Sequence, residues 1–222
     1  MPKVTEDYLE NKRRQIVDAA YRVCLRKPVE MVTISDVIAE TGMSQGAIYR
    51  YYGGLDEILT DMSTKLREEY NIIDRMEVIL SDKDLTVEDA VFKVCDCLAD
   101  AMETHLKDIQ KINFDMGVLA INEPQRAAKI LAGVRGPGNL EYLQKNAIPK
   151  LIEYAYRAGL KLAGPPEEIG QFICSAYTGI EKYCILSACY GGEDQTVKAD
   201  PKATFGTLAK TILLLTGGIS YD

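Results

Sequence analysis

The 222-residue sequence contains no tryptophan, four phenylalanines and a single histidine, His105. One imidazole leaves few options for acid–base catalysis, and no nucleophile–base pair or phosphate-binding loop accompanies it. Cys95 and Cys97 have no second ligand pair at the spacing that zinc requires. The sequence therefore predicts no catalytic centre, no metal site and no cofactor.

Long apolar runs are also absent. The longest run near the C-terminus, residues 212–215, is far too short to cross a bilayer. Charged residues occupy positions 6–14, where a signal peptide would have its apolar region. We therefore expect a cytoplasmic protein that does not associate with membranes.

Six cysteines raise the question of disulfides. A chain that stays in the cytoplasm meets a reducing environment, and most of these cysteines fall within apolar helical stripes. Free cysteine packs there as a small apolar side chain. Core packing is the favoured interpretation, and redox sensing stays open as the alternative.

The charge is unevenly distributed. Residues 1–54 carry eight basic and seven acidic side chains, whereas residues 55–222 carry 18 and 26, within a total of −7. This asymmetry is typical of a DNA-reading head on an acidic body.

Helical periodicity recurs along the chain and strand signals are almost absent. Ile16, Ala19, Ala20, Val23 and Cys24, for example, keep the spacing of one buried helix face. The pattern predicts an all-α fold of about nine helices. We expect a helix-turn-helix head over residues 1–54 and a larger helical body, which binds a ligand and dimerises, over residues 55–222.

The segment from Thr33 to Gly54 contains two short predicted helices. Thr33 and Asp36 form a capping box that opens the first, and Gly42 is the glycine that a left-handed C-cap favours. Ser44 opens the second, which is expected to include Ile48 and Tyr52. Two short helices joined by a tight glycine turn are typical of the helix-turn-helix, whose second helix enters the major groove of DNA.

The same segment resembles the DNA-binding signature of the TetR family of transcriptional regulators. The matching residues are Gly42, Met43, Ser44, Gly46, Ile48, Tyr49 and Tyr51, followed by Tyr52 where phenylalanine is usual and by the acidic pair Asp56 and Glu57. Leu55 departs from the lysine that the family usually has, which removes one phosphate contact. Lys12, Arg13 and Arg14 either compensate for that loss or form a solvated helix face.

The resemblance implies which residues touch DNA. Thr33 and Tyr49 are expected to contact phosphates, Gln45 and Ala47 to face base edges, and Arg50 to do either. The predicted DNA-binding set is Thr33, Ser44, Gln45, Gly46, Ala47, Tyr49 and Arg50.

The resemblance also implies a ligand pocket and a dimer interface in the body. A helix over residues 167–188 is apolar nearly all round, so that with the last helix it would form half of a four-helix interface. The predicted interface residues are Ile180, Tyr183, Cys184, Leu208 and Ile212. The predicted pocket residues, for each of which core packing is the alternative, are Phe92, Met102, Asn113, Phe114, Met116, Tyr142, Tyr154 and Tyr177.

These expectations combine into one functional hypothesis. The chain is a homodimeric repressor that binds a near-palindromic operator in double-stranded DNA and is released by a small, mostly apolar effector, neutral or cationic. Alternatives within the same class are an activator and a regulator that needs a co-repressor. The alternative from another class is a helical enzyme or small-molecule carrier.

Overall fold

A computed structural model describes residues 6–70, 72–189 and 198–219. Every regular element within these ranges is helical, which confirms the prediction of an all-α fold. The chain forms two compact units: unit 1 comprises Met1–Tyr70 and Lys111–Gly136, and unit 2 comprises Asn71–Gln110 and Pro137–Asp222. The functional division at residue 54 stays a prediction.

Unit 1 contains the N-terminal helices and a later helical pair. Its elements are α1 (Glu6–Arg26), a 3₁₀ turn (Val29–Met31), α2 (Ile34–Thr41), α3 (Gln45–Ile48), α4 (Leu55–Glu69), most of α7 (Ile109–Asn122) and α8 (Pro124–Ala132). The predicted inward face of α1 is buried. It packs against α2 and α4, where Val37, Ile58 and Met62 are also buried.

Unit 2 contains the remaining helices. They are α5 (Ile73–Ser81), α6 (Val87–His105), α9 (Asn139–Tyr142), α10 (Ile148–Arg157), α11 (Pro166–Cys189) and α12 (Pro201–Leu215). Helix α6 packs along α12, and α12 packs against α11. The rings of Tyr177 and Phe205, whose centroids are 6.3 Å apart, lie in the apolar core of this unit.

The helical stretch around Pro149 is irregular. A π-helical segment (Leu143–Ala147) separates α9 from α10, just before Pro149. Proline has no N–H for the i−4 carbonyl, and a π turn is one way in which a helix accommodates this. Helix α10 ends at Arg157, and Gly159 follows with φ +72°.

The cysteines pack as apolar side chains. Cys24, Cys95, Cys97 and Cys184 are buried and Cys174 is half-buried, all as free thiols. Burial raises the pKa of the Cys24 and Cys95 thiols to about 12, which disfavours the reactive thiolate. The side chain of Cys189 lies outside the described residues. None of the described helices is long and apolar enough to cross a bilayer.

Candidate nucleic-acid interface

The α2–α3 hairpin has the caps that the sequence predicts. The Thr33 hydroxyl accepts the Asp36 amide at 3.2 Å, and the Asp36 carboxylate accepts the Thr33 amide at 2.8 Å and its hydroxyl at 2.7 Å. Gly42 ends α2 in the left-handed region, with φ +67°. The Ser44 hydroxyl accepts the Ala47 amide and begins α3. The two helices are therefore joined by a turn of only three residues.

Helix α3 is shorter than expected. It ends at Ile48, and the next residues continue as single turns, in which Ile48 O accepts the amides of Tyr51 and Tyr52. The prediction that the helix includes Tyr52 is wrong. Tyr52 instead points into unit 1, where its side chain is 3% exposed and its hydroxyl donates to Asp61 at 2.9 Å.

The predicted DNA-binding residues lie at the surface. Gln45, Gly46, Tyr49 and Arg50 are exposed on or just after α3, while Ile48 of the same turn is fully buried. The exposed set is completed by Thr33 and Ser44, and Ala47 is half-buried. Both the donor and the acceptor functions of the Thr33 hydroxyl are used in the capping box, so this side chain has less to offer a phosphate than expected.

Gly46 has no internal reason to be glycine. A Cβ at this position would meet no other atom within 4 Å, and its φ lies outside the left-handed region. A small residue that the fold itself does not require suits a close approach by an outside surface.

Arg13 anchors the end of the hairpin, a role that the sequence did not indicate. Its guanidinium donates to Tyr51 O at 2.7 Å, lies 4.9 Å from the centre of the Tyr52 ring and pairs with Asp61 at 3.7 Å. These contacts tie α1 to the turn after α3 and to α4. The side chain of Arg13 is 50% exposed, but it also has this structural role, which neither interpretation of residues 12–14 included.

The acidic pair at the start of α4 is used within unit 1. Glu57 accepts the Gly53 amide at 2.8 Å, and Asp56 pairs with Arg126 of α8 at 2.9 Å. Thr60 donates to Ile130 O of α8 at 3.2 Å. Helix α8 is thereby fastened to α4, the helix that follows the hairpin.

The predicted pocket residues fall in two places. Five of them join or border the apolar core of unit 2, namely Phe92, Met102, Tyr142, Tyr154 and Tyr177. Asn113, Phe114 and Met116 lie on α7 within unit 1. Asn113, which was predicted to line the pocket, is exposed. The buried polar side chain of α7 is Gln110, whose Oε1 has no hydrogen-bond partner among the described residues.

Two of the buried tyrosines of unit 2 have structural partners. The Tyr154 hydroxyl donates to Asp82 O at 2.6 Å. Tyr177 is hydrogen-bonded to Glu181 and Asn139, and burial raises the pKa of its hydroxyl. Burial also raises the pKa of the Glu181 carboxyl to about 7. In the sequence, Glu181 lies one helical turn after Tyr177, within the helix that is predicted to be apolar nearly all round.

The predicted interface residues are only partly at the surface. Cys184, Leu208 and Ile212 are buried within unit 2, Ile180 is half-buried and Tyr183 is 43% exposed. Helix α11 has further exposed apolar side chains at Phe172 and Leu186, which share a face with Tyr183. A groove of about 290 Å³ beside Phe172 runs between the start of α11 and the end of α12.

Comparisons with known proteins agree with this geometry. The sequence profile of the bacterial regulatory proteins of the tetR family matches residues 16–62, which contain the α2–α3 hairpin. The HTH-type transcriptional regulator PksA of Bacillus subtilis is 31% identical over 114 residues, which are 50% of this chain and 51% of PksA. The chain spans about half, or less, of the length of the curated relatives that it matches.

Solved structures share the whole fold at low identity. The fatty acid degradation regulator FadR of Bacillus halodurans superposes with a TM-score of 0.63 at 17% identity, over 95% of this chain and 97% of FadR. FadR of Thermus thermophilus, a TetR-family repressor solved with lauroyl-CoA, gives 0.56 at 16% identity, over 95% and 96%.

The hairpin, its caps and the profile match define a helix-turn-helix protein. Over residues 16–62 the chain carries a domain of the kind found in the bacterial regulatory proteins of the tetR family.

Proposed function

We propose that the protein is a homodimeric, cytoplasmic repressor that reads a near-palindromic operator through α3. The observation that carries this proposal is the exposed set Gln45, Gly46 and Tyr49, held on a capped hairpin by the buried Ile48. An α-helix fits the major groove, and a small residue between longer polar ones lets the backbone approach. The repressor function of the structurally similar Thermus thermophilus FadR supports repression over activation.

An exposed apolar face in unit 2 supports homodimerisation. Phe172, Tyr183 and Leu186 form an apolar face on α11, and a charged surface would be expected there in a monomer. A second copy of the chain, packed on this face by two-fold symmetry, would cover it. Two heads then meet two half-sites about one helical turn apart, or a multiple of that distance.

The effector is a small, mostly apolar molecule that binds unit 2. Five of the predicted pocket residues pack in or against its apolar core, so an apolar molecule that binds there would have to displace side chains of the core. The binding of lauroyl-CoA by Thermus thermophilus FadR supports an alkyl or acyl chain as the apolar part. The excess of acidic side chains over residues 55–222 favours a neutral or cationic polar group over a polyanion.

DNA binding is tested by titrating the protein against duplex DNA from the region upstream of its own gene and against unrelated DNA. The wild type is expected to prefer the upstream duplex. Tyr49→Ala should weaken binding to both duplexes, because phosphate contacts carry no sequence information. The matched control is Tyr156→Ala, at another exposed tyrosine, on α10, which should bind as the wild type does. Equal, salt-labile binding to every duplex by the wild type would contradict the proposal.

The effector is tested with four molecules that share one alkyl chain: dodecanol, dodecylamine, laurate and lauroyl-CoA, each below its micelle-forming concentration. The neutral and cationic members are expected to raise the melting temperature and to weaken DNA binding, and DNA must weaken their binding by the same factor. Release by lauroyl-CoA alone would contradict the proposed charge preference. A tight binder that leaves DNA affinity unchanged is not the effector.

A further inference from the structure

Lys111, on the first turns of α7, reaches the C-terminal end of α1. Its ammonium group donates to Cys24 O at 2.6 Å and to Lys27 O at 3.0 Å, and pairs with Asp115 at 2.7 Å. The last carbonyls of a helix have no partner within the helix, so Lys111 acts as a C-cap for α1. Lys111 lies more than 80 residues beyond α1 in the sequence, and it is not one of the residues predicted to contact DNA.

Asp115 extends this contact to the chain that leaves α1. Its carboxylate accepts the amide of Val29 at 3.2 Å, and Val29 begins the 3₁₀ turn that leads to α2. The side chains of Lys111 and Asp115 are only 21% and 13% exposed. A pair shielded in this way is screened little by salt.

The polar contacts continue to the hairpin. The Lys27 ammonium pairs with Asp36 at 2.7 Å, and Asp36 is the capping-box partner of Thr33 at the start of α2. These contacts lower the pKa of the Asp36 carboxyl to about 2, with Lys27 and Thr33 as the main causes. An unbroken series of hydrogen bonds and ion pairs thus links α7, the end of α1 and the first helix of the hairpin.

We infer that Lys111 and Asp115 are positioning residues for DNA reading, an inference that rests on the proposed function. They fix the direction in which the backbone leaves α1, and so the setting of α2 and α3 relative to α1. An apolar pair of similar size would stabilise a buried contact as well as an ion pair does, but it cannot bind backbone carbonyls and an amide in fixed directions. The pair supplies orientation rather than stability.

The test uses the full-length protein and a duplex that the wild type selects from a randomised pool, with an unrelated duplex of equal length. Lys111→Met leaves Asp115 without its cation and should lower stability as well as binding. The double variant Lys111→Met/Asp115→Leu replaces the ion pair with an apolar contact and should melt close to the wild type. The exposed Lys107→Met is the matched control.

The double variant is expected to bind the selected duplex at least about tenfold more weakly. This is the effect of losing one charge-assisted hydrogen bond between the protein and DNA when α3 is no longer held in position. Its affinity for the unrelated duplex and the salt dependence of that affinity should not change, because no phosphate contact is removed. Amide hydrogen exchange over residues 27–36, measured without DNA, should be faster than in the wild type.

Three results would overturn the inference. Wild-type affinity of the double variant for the selected duplex would mean that the pair only stabilises the fold. A salt dependence lowered by about one charge would mean that Lys111 contacts a phosphate directly. Unchanged amide exchange over residues 27–36 would mean that the pair does not position this segment, whatever the DNA-binding result. A wild type that selects no sequence refutes the proposed function itself, and the exchange result distinguishes the two failures.

Discussion

At Gly46 the fold does not require a glycine, whereas the proposed contact with DNA does. Nothing within 4 Å would meet a Cβ there, and alanine is the better helix former by about 1 kcal/mol. Gly46→Ala should therefore leave the free energy of unfolding unchanged or raise it slightly, yet weaken DNA binding, because the new methyl group would lie between α3 and the groove. Thermal unfolding and fluorescence anisotropy with a labelled duplex measure the two effects.

Gly117→Ala is the matched control for that variant, since Gly117 is an exposed helical glycine of α7 with equally open surroundings. It should bind DNA as the wild type does. Unchanged DNA affinity in Gly46→Ala would mean that α3 does not approach DNA through this residue.

Glu181 makes the stability of the protein depend on pH. Desolvation raises the pKa of its carboxyl from 4.5 to about 7, against the opposing effects of Tyr177 and Lys182. Between these two values the folded chain keeps a proton that the unfolded chain has released. Stability contributed by this group is therefore present below about pH 4.5 and is lost as the pH rises to 7.

Glu181→Gln removes this dependence, because glutamine stays neutral. The wild type should lose stability relative to the variant between pH 4.5 and 7, with a constant difference above pH 7. Denaturant unfolding across this range measures it, and the exposed Glu167→Gln of the same helix is the control. A wild type that gains stability relative to Glu181→Gln over this range would refute the burial of the charge.

At the scale of the element, the turn of the hairpin depends on Gly42. Its φ of +67° strains any residue with a Cβ, and asparagine tolerates this region better than alanine does. Gly42→Ala should lower the free energy of unfolding by about 1 kcal/mol, and Gly42→Asn by less. Urea unfolding of the two variants checks the order. Equal losses would mean that the turn changes its conformation.

Local signals predicted the elements well where a cap accompanies the periodicity. The capping box of Thr33 and Asp36 and the cap of Ser44 each begin a helix as expected. The sequence did not reveal α5, whose N-cap, Ile72, makes no side-chain cap hydrogen bond. The early end of α3 was also missed, because Tyr52 continues the helical spacing while its side chain turns inward to Asp61.

Local sequence signals likewise predicted one part of the candidate DNA-binding site and missed another. The exposed residues of the hairpin follow from a short motif and its spacing. The anchors behind them do not, since Arg13 reaches Tyr51 across 38 residues and Lys111 reaches Cys24 across 87. The Lys111–Asp115 spacing indicates an i,i+4 ion pair on one helix, but only the tertiary fold brings that pair to the end of α1.

For the whole molecule, the proposed dimerisation depends on the exposed apolar face of α11. Tyr183→Glu should place an unpaired charge in the proposed interface and yield monomers, as buried unpaired charges are costly. Light scattering should give about twice the 24.7 kDa chain mass for the wild type and about the chain mass for the variant. Tyr156→Glu, on α10, should remain dimeric. A monomeric wild type at micromolar concentration would contradict the proposed interface.

Selection from a randomised duplex pool tests most directly whether α3 reads the DNA sequence. The wild type should select a near-palindrome whose half-sites lie about one helical turn apart or a multiple of that distance. Gln45→Ala should select the same sequence except at one fixed position in each half-site, where a lost base contact costs about 1–3 kcal/mol of discrimination. If Gln45→Ala selects the same sequence as the wild type at every position, α3 does not read DNA through this residue.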